Sequence, residues 1–255
     1  MFALGLPLAA ATRAEVRTKT IAYTHDGVTL EGVLAWDDGV KGKRPGVLVV
    51  HEWWGHNGYA RERAGKLAAL GYVAFALDMY GKGKTAATPE EAQRLATPFY
   101  QDRALMRARA AAGLEVLRTQ ENVDASRLAA IGYCFGGTVC LELARSGADL
   151  RAVVSFHGGL SNPTPADAGK IRAKVLVCNG ADDPMVPAEE RRGFKEEMSK
   201  AGVDYQFIDY GGAVHAFTNP GADAFKIPGV AYNEKADRRS WGAMRAFFDE
   251  TLGAK

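Results

Sequence analysis

The chain has 255 residues, is 47% apolar and 24% charged, and carries a formal net charge of +2 at pH 7. That length suits one α/β domain large enough to bury a core without covalent staples. The near-neutral balance, with no basic stripe carrying interleaved aromatics, argues against a nucleic-acid or anionic-membrane partner, and three scattered cysteines with no C-x-x-C pair give neither a disulfide framework nor a zinc site.

Residues 1–14 form an apolar segment rich in small residues, read from Phe2 to Thr12 as FALGLPLAAAT. It is like the h-region of a secretory signal but lacks the positive n-region. Two expectations stand side by side: a truncated leader, which would send the protein to the periplasm or outside the cell, or a short frayed arm on a cytoplasmic protein. No other run approaches the ~20 apolar residues of a membrane span.

Residues 15–255 read as a single domain. Lys19 to Tyr23 and Val28 to Ala35 are strand-like, and the Asp26-Gly27 pair between them predicts a β-hairpin. Val47 to Val50 is a continuous apolar run, as a strand covered on both faces requires. A helix is expected over Tyr59 to Leu70, closed by Gly71. The strand Tyr72 to Leu77 follows, then a loop over Gly81 to Thr88, and Pro89-Glu90-Glu91 looks like a first helical turn. Gln101 to Arg118 is expected to be a long helix with Leu105, Ala108, Ala112 and Val116 on its buried stripe. Leu128 to Ile131 is a short buried strand, and a helix follows at once over Phe135 to Arg145. Strands over Ala152 to Phe156, Lys174 to Cys178 and Tyr205 to Asp209 alternate with a helix over Ala188 to Ala201. A closing helix runs from Asn233 to Leu252, with Trp241, Met244 and Phe248 inward. Alternating strands and helices imply a mostly parallel sheet with helices on both faces, and the leading hairpin adds an antiparallel edge.

The chemistry begins at Gly132-Tyr133-Cys134-Phe135-Gly136-Gly137, between a buried strand and a helix. The spacing is that of a nucleophile elbow, G-x-S-x-G, with cysteine in place of serine. A strand that reverses into a helix within a few residues holds its nucleophile in a strained turn, and the flanking glycines let the helix pack close. A thiol at a helix N-terminus has its thiolate favoured by the dipole. The N–H of Phe135 points to where an oxyanion would form. Cys140 and Cys178, inside a helix and a strand, read as core.

α/β-Hydrolases supply the triad in the order nucleophile, acid, histidine. The loop after Val175 to Cys178 offers Asp182 and Asp183, of which one can face an imidazole. The loop after the last strand carries His215, placed to take the proton from Cys134 and to return it to the leaving group. The remaining histidines, His25, His51, His56 and His157, show no metal-ligand spacing.

Four blocks together make the chain resemble the dienelactone hydrolase (carboxymethylenebutenolidase) family: His51-Glu52-Trp53-Trp54-Gly55-His56-Asn57, Asp78-Met79-Tyr80, the Gly132 to Gly137 elbow, and Gly180-x-x-Asp183 through Val186-Pro187 with His215-Ala216-Phe217. They span nearly the whole chain after the N-terminal segment. The resemblance implies an α/β-hydrolase fold, Asp183 as the triad acid, and a catalytic role for Glu52 through contact with the resting thiol. It implies the N–H of Trp53 as second oxyanion donor. A carboxylate beside a thiol would oppose the thiolate by like charge. Two departures weaken the family's paired-arginine hold on a substrate carboxylate: Lys82 follows the Asp78 block, and Asn219 stands four residues after His215. Lys82, Trp54 and Tyr80 are the expected substrate-binding residues, although paired tryptophans also suit a core. The combined expectation is a cysteine-dependent hydrolase of small lactones or carboxylic esters, with no metal or organic cofactor implied. The alternative is a non-catalytic or redox-sensing binding protein that keeps the fold.

Overall fold

The computed structural model describes residues 15–253, so the signal-like segment at residues 1–14 lies outside the described residues. The chain opens with the expected hairpin, β1 (Val16–His25) and β2 (Val28–Asp37). Asp26 and Gly27 between them take φ of 49° and 70°, the positive values that a tight two-residue hairpin turn demands. There follow β3 (Arg44–Val50), α1 (Gly58–Ala69), β4 (Val73–Ala76), α2 (Pro89–Gln101), α3 (Arg103–Arg118), β5 (Val123–Tyr133) and α4 (Phe135–Arg145). The second half continues with β6 (Ala152–Phe156), β7 (Lys174–Gly180), α5 (Ala188–Lys200), β8 (Tyr205–Tyr210) and α6 (Glu234–Leu252).

The eight strands make one sheet in the order β1-β2-β4-β3-β5-β6-β7-β8. β2 meets both of its neighbours antiparallel, and every pair from β4 to β8 is parallel. All seven residues of β3 are buried, because helices cover both faces. Side chains alternate across the strands. Leu48, Val50, Phe75 and Val153 point into one apolar layer with Met106, Leu114, Val139 and Phe194 from the helices. Val47, Val49, Ala74 and Val154 point into the other, against Leu67, Met244 and Phe248.

Helix ends follow local chemistry. The side chains of Asn57, Thr88, Asp102 and Asn233 each accept an N–H of the helix that follows, which satisfies donors left over at a helix N-terminus. Gly71, at φ 89°, closes α1 as expected.

Two expectations need correction. The turn opened by Pro89 extends through Gln101 as a separate helix, and Asp102 ends α2 and caps α3. The buried stripe of α3 is Met106, Arg109, Ala110, Gly113, Leu114 and Leu117, and Ala108, expected to be inward, is exposed. Gly113 sets that rotation: a Cβ there would stand 3.0 Å from the Cβ of Leu77, so the face that meets the sheet most closely is the one with no side chain.

Candidate active site

β5 lies between β3 and β6 at the middle of the sheet, and α4 begins at Phe135, so one residue makes the reversal. That residue, Cys134, has φ 53° and ψ −117°, a conformation costing a non-glycine residue on the order of 1–3 kcal/mol. Local bonds over-determine it. The Cys134 N–H is shared between the Phe156 carbonyl at 3.0 Å and His157 Nδ1 at 3.1 Å, and the Cys134 carbonyl accepts from the Gly137 and Thr138 amides. The glycines are steric requirements. A Cβ on Gly132 would lie 2.0 Å from the Gly136 carbonyl oxygen, and one on Gly136 would lie 2.3 Å from that of Val50. Both obstacles are backbone and cannot step aside.

The loops after β7 and β8 carry the acid and the base. Asp183 Oδ2 stands 2.9 Å from His215 Nδ1, and its Oδ1 accepts the Met185 amide at 2.8 Å, so the carboxylate is fixed at both oxygens. Asp182 instead accepts the Gly212 amide at 3.0 Å, which leaves Asp183 as the residue facing the imidazole. His215 Nε2 has no hydrogen-bond partner among the described residues. Burial opposes the charged imidazole, but the neighbouring Cys134 charge and the bond to Asp183 outweigh it and push His215 up to about 10.

Cys134, His215 and Glu52 share a cavity of about 430 Å³. Trp53, Trp54 and Phe225 line it on one side, and Gln93, Thr97 and Tyr100 of α2 on another. No lysine or arginine is among the lining residues. Trp54 and Phe225 pack with ring centroids 4.4 Å apart, so Trp54 serves both as wall and as core. The Phe135 amide opens α4, where N–H groups have no intrahelical partner. The Phe135 ring is fully buried, against His51 and Tyr80. Tyr80 does not line the cavity; its hydroxyl donates to the Trp53 carbonyl at 3.1 Å and so fixes the peptide after Trp53. Lys82 is also away from the cavity: it pairs with Glu31 at 2.8 Å, with its side chain 60% exposed. Where substrate contacts were expected, the structure gives Tyr80 a supporting bond and Lys82 a surface ion pair.

Glu52 is 2% exposed and lines the cavity, but it makes no hydrogen bond to the Cys134 thiol among the described residues. Asn219 Nδ2 donates to Glu52 Oε2 at 2.6 Å instead. Burial raises the Glu52 carboxyl to about 7, against the Asn219 bond and the charges of His215 and Arg63. Asn219, at the position where the resemblance would put an arginine, therefore holds a side chain of the site and does not face the cavity.

Three residues near the site were not singled out from the sequence. His157 accepts the Cys134 N–H through Nδ1, and its Nε2 lies 2.7 Å from Thr218 Oγ1, so it carries its proton on Nε2 and braces the elbow. Burial holds it well below the usual histidine range. His51 donates from Nδ1 to the Glu52 carbonyl and accepts the Met79 amide at Nε2, tying β3's end to β4's. Arg63 is buried against Asp237 at 2.7 Å and over the ring of Tyr133. A signal existed for His157 and His51, since each follows a strand beside the elbow strand, and His51 also opens one of the blocks that carry the resemblance. Among the described residues, no group of three His, Cys, Asp or Glu side chains could hold a metal ion, and no helix is long and apolar enough to cross a membrane.

The model of the dienelactone hydrolase family matches residues 30–252. Protein usf of Aquifex pyrophilus is 30% identical over 237 residues, covering 91% of this chain and 98% of its own. A crystal structure described as a dienelactone hydrolase-like promiscuous phosphotriesterase from metagenomic libraries superposes with a TM-score of 0.91 at 45% identity, covering 93% of this chain and 99% of that one. An acylaminoacyl peptidase of Pyrococcus horikoshii, 14% identical with a TM-score of 0.74 over 93% of this chain and 42% of that one, shares the fold.

Proposed function

The chain belongs to the dienelactone hydrolase family, and from that premise we propose that it hydrolyses small, uncharged carboxylic esters or lactones through a Cys134–His215–Asp183 triad and an acyl-enzyme. The carrying observation is the 2.9 Å contact of His215 Nδ1 with Asp183, which leaves Nε2 without a partner in the cavity that Cys134 lines. Asp183 orients the ring and stabilises its charged form. His215 Nε2 takes the Cys134 thiol proton as the sulfur attacks the carbonyl carbon, and the developing oxyanion is met by the N–H groups of Phe135 and Trp53. Collapse expels the alcohol, or opens the lactone, with His215 donating the proton. Water then gives a proton to His215 and its oxygen to the acyl carbon, the C–S bond of the thioester breaks, and His215 returns the proton to the departing Cys134 sulfur as the acid leaves.

The uncharged substrate class rests on a cavity lined by Trp53, Trp54 and Phe225 with no lysine or arginine to clamp a carboxylate. The same property favours a second reading, neutral phosphotriesters, since a 45% identical relative is described as a promiscuous phosphotriesterase. The test is turnover of p-nitrophenyl acetate, a neutral lactone and a dialkyl aryl phosphate by the parent, Cys134→Ala and Cys134→Ser. Expected are turnover by the parent, loss in Cys134→Ala to the buffer rate, and a covalent acyl adduct on Cys134 by mass spectrometry after rapid quench. A folded parent that turns over none of them would favour the redox-sensing alternative, in which Asp183 and His215 have no work.

A further inference from the structure

We propose that Asn219 is a positioning residue that holds the Glu52 carboxylate on the histidine side of the site, so that its charge supports the His215 imidazolium and stays off the Cys134 thiol. The inference deepens the proposed triad and rests on it. Its basis is the direction of one side-chain amide. Asn219 Oδ1 accepts the Gly221 N–H at 2.9 Å, which forces Nδ2 toward Glu52, where it donates at 2.6 Å. Both residues are buried, at 6% and 2% exposure, so neither can exchange this partner freely for water. Asn219 also sits in the loop that carries His215, and its own N–H bonds the Ala216 carbonyl at 2.9 Å. One loop thus fixes the base and the carboxylate together.

Placement decides the sign of what Glu52 does. A carboxylate near an imidazolium favours the charged pair, while one beside a thiolate opposes it. The ionisable groups whose charges act on Glu52, or on which its charge acts, are His215 in the loop after β8, Arg63 and Tyr59 on α1, and Tyr133 at the end of β5. Two of these are positive when charged, and the Cys134 thiol makes no hydrogen bond to it. Burial raises the Glu52 carboxyl, and the bond donated by Asn219 opposes that rise and leaves it at about 7, so a fraction is charged at neutral pH. Without that bond the Glu52 carboxyl rises further, and near-neutral pH removes the negative charge that His215 uses.

The experiment is the pH dependence of Cys134 alkylation by iodoacetamide, beside kcat/KM for p-nitrophenyl acetate. The proteins are the parent, Asn219→Ala, the isosteric Asn219→Asp, Glu52→Gln and Glu52→Gln/Asn219→Ala, each checked for folding by near-UV circular dichroism. Both Asn219 variants are expected to move the acidic limb of the two profiles upward by about one pH unit. In the Glu52→Gln background the change at 219 is expected to add no shift, because the group through which it acts is gone. Asn219→Asp keeps the shape of the side chain, so it reads the bond even if Asn219→Ala fails to fold. Profiles of folded Asn219 variants that overlay the parent would overturn the proposal, as would a 219-dependent shift that survives in Glu52→Gln. Failure of the triad itself is read separately, as turnover that persists in Cys134→Ala.

Discussion

At the scale of single residues the site divides its two acids by what each can touch. Asp183 spends one oxygen on the Met185 amide and the other on His215, a geometry that sets the ring's tautomer. Asp183→Asn would keep the size and lose the charge, and its side-chain N–H facing Nδ1 would make Nδ1 an acceptor and put the ring proton on Nε2, the tautomer that cannot take the Cys134 proton. Turnover of p-nitrophenyl acetate by Asp183→Asn is expected to fall roughly 1,000- to 10,000-fold in kcat with thermal stability little changed. A fall of less than about tenfold would remove Asp183 from the triad. The sequence narrowed the choice to two adjacent acids, and the family resemblance picked the one the fold places against His215. It did not reveal where Glu52 turns. That depends on a partner 167 positions away, and no local pattern encodes such a contact. Lys82 shows the converse: its charge suited a substrate clamp, but Glu31, on β2, claims it.

At the scale of elements, the elbow is legible because its constraints are local and steric, while the cavity wall is not. The glycines at 132 and 136 each face backbone within 2.0–2.3 Å of where a Cβ would sit, so an alanine there has no rotamer to escape through. Gly132→Ala is expected to destabilise by more than about 3 kcal/mol, or to prevent folding. Gly65, inside α1 with nothing within 4 Å of its would-be Cβ, provides the contrast: Gly65→Ala is expected to stabilise by about 0.5–1 kcal/mol. Urea midpoints of the two variants check both signs, and similar midpoints would contradict the steric account. The wall element α2 was seen only at its start, where Pro89, Glu90 and Glu91 announce a helix. Its continuation through Pro98 defeats a pattern reading, since proline inside a helix ordinarily ends it. The α3 stripe was misplaced for a related reason: glycine counts as nothing in a hydrophobic pattern, yet Gly113 is where that helix comes closest to Leu77.

For the molecule as a whole, buried histidines tie stability to pH. Burial lowers His51 and His157, and lowers His56 to about 4, so the folded protein declines protons that the unfolded chain takes up below about 6.5. Stability is lost as pH falls through that window, at about 1.4 kcal/mol per pH unit for each withheld proton. Glu52 runs the other way between about 7 and 4.5, since its folded carboxyl binds a proton the unfolded one lacks, and it offsets one of the three. A net loss on the order of 2–3 kcal/mol per pH unit is therefore expected between pH 6.5 and 5. His215, raised to about 10, contributes stability that is full below about 6.5 and is lost as pH climbs toward 10. Urea midpoints at pH 5, 7 and 9.5 should thus be highest at 7, and a midpoint as high at pH 5 as at 7 would refute this account. Overall topology was readable from the alternation of buried strands and amphipathic helices, whereas the bonds of His51 to Met79, His157 to Thr218 and Glu52 to Asn219 were not, because those partners come from distant segments. The same separation governs how the protein can change. The reacting groups stand at strand ends locked by backbone contacts, while Gln93, Thr97 and Tyr100 reach the cavity from a helix whose outer residues are solvent-exposed. Diversifying those three positions, together with Met185 at the rim, would let laboratory selection retune which acyl or leaving group is admitted while the reacting groups and the sheet beneath them are inherited intact.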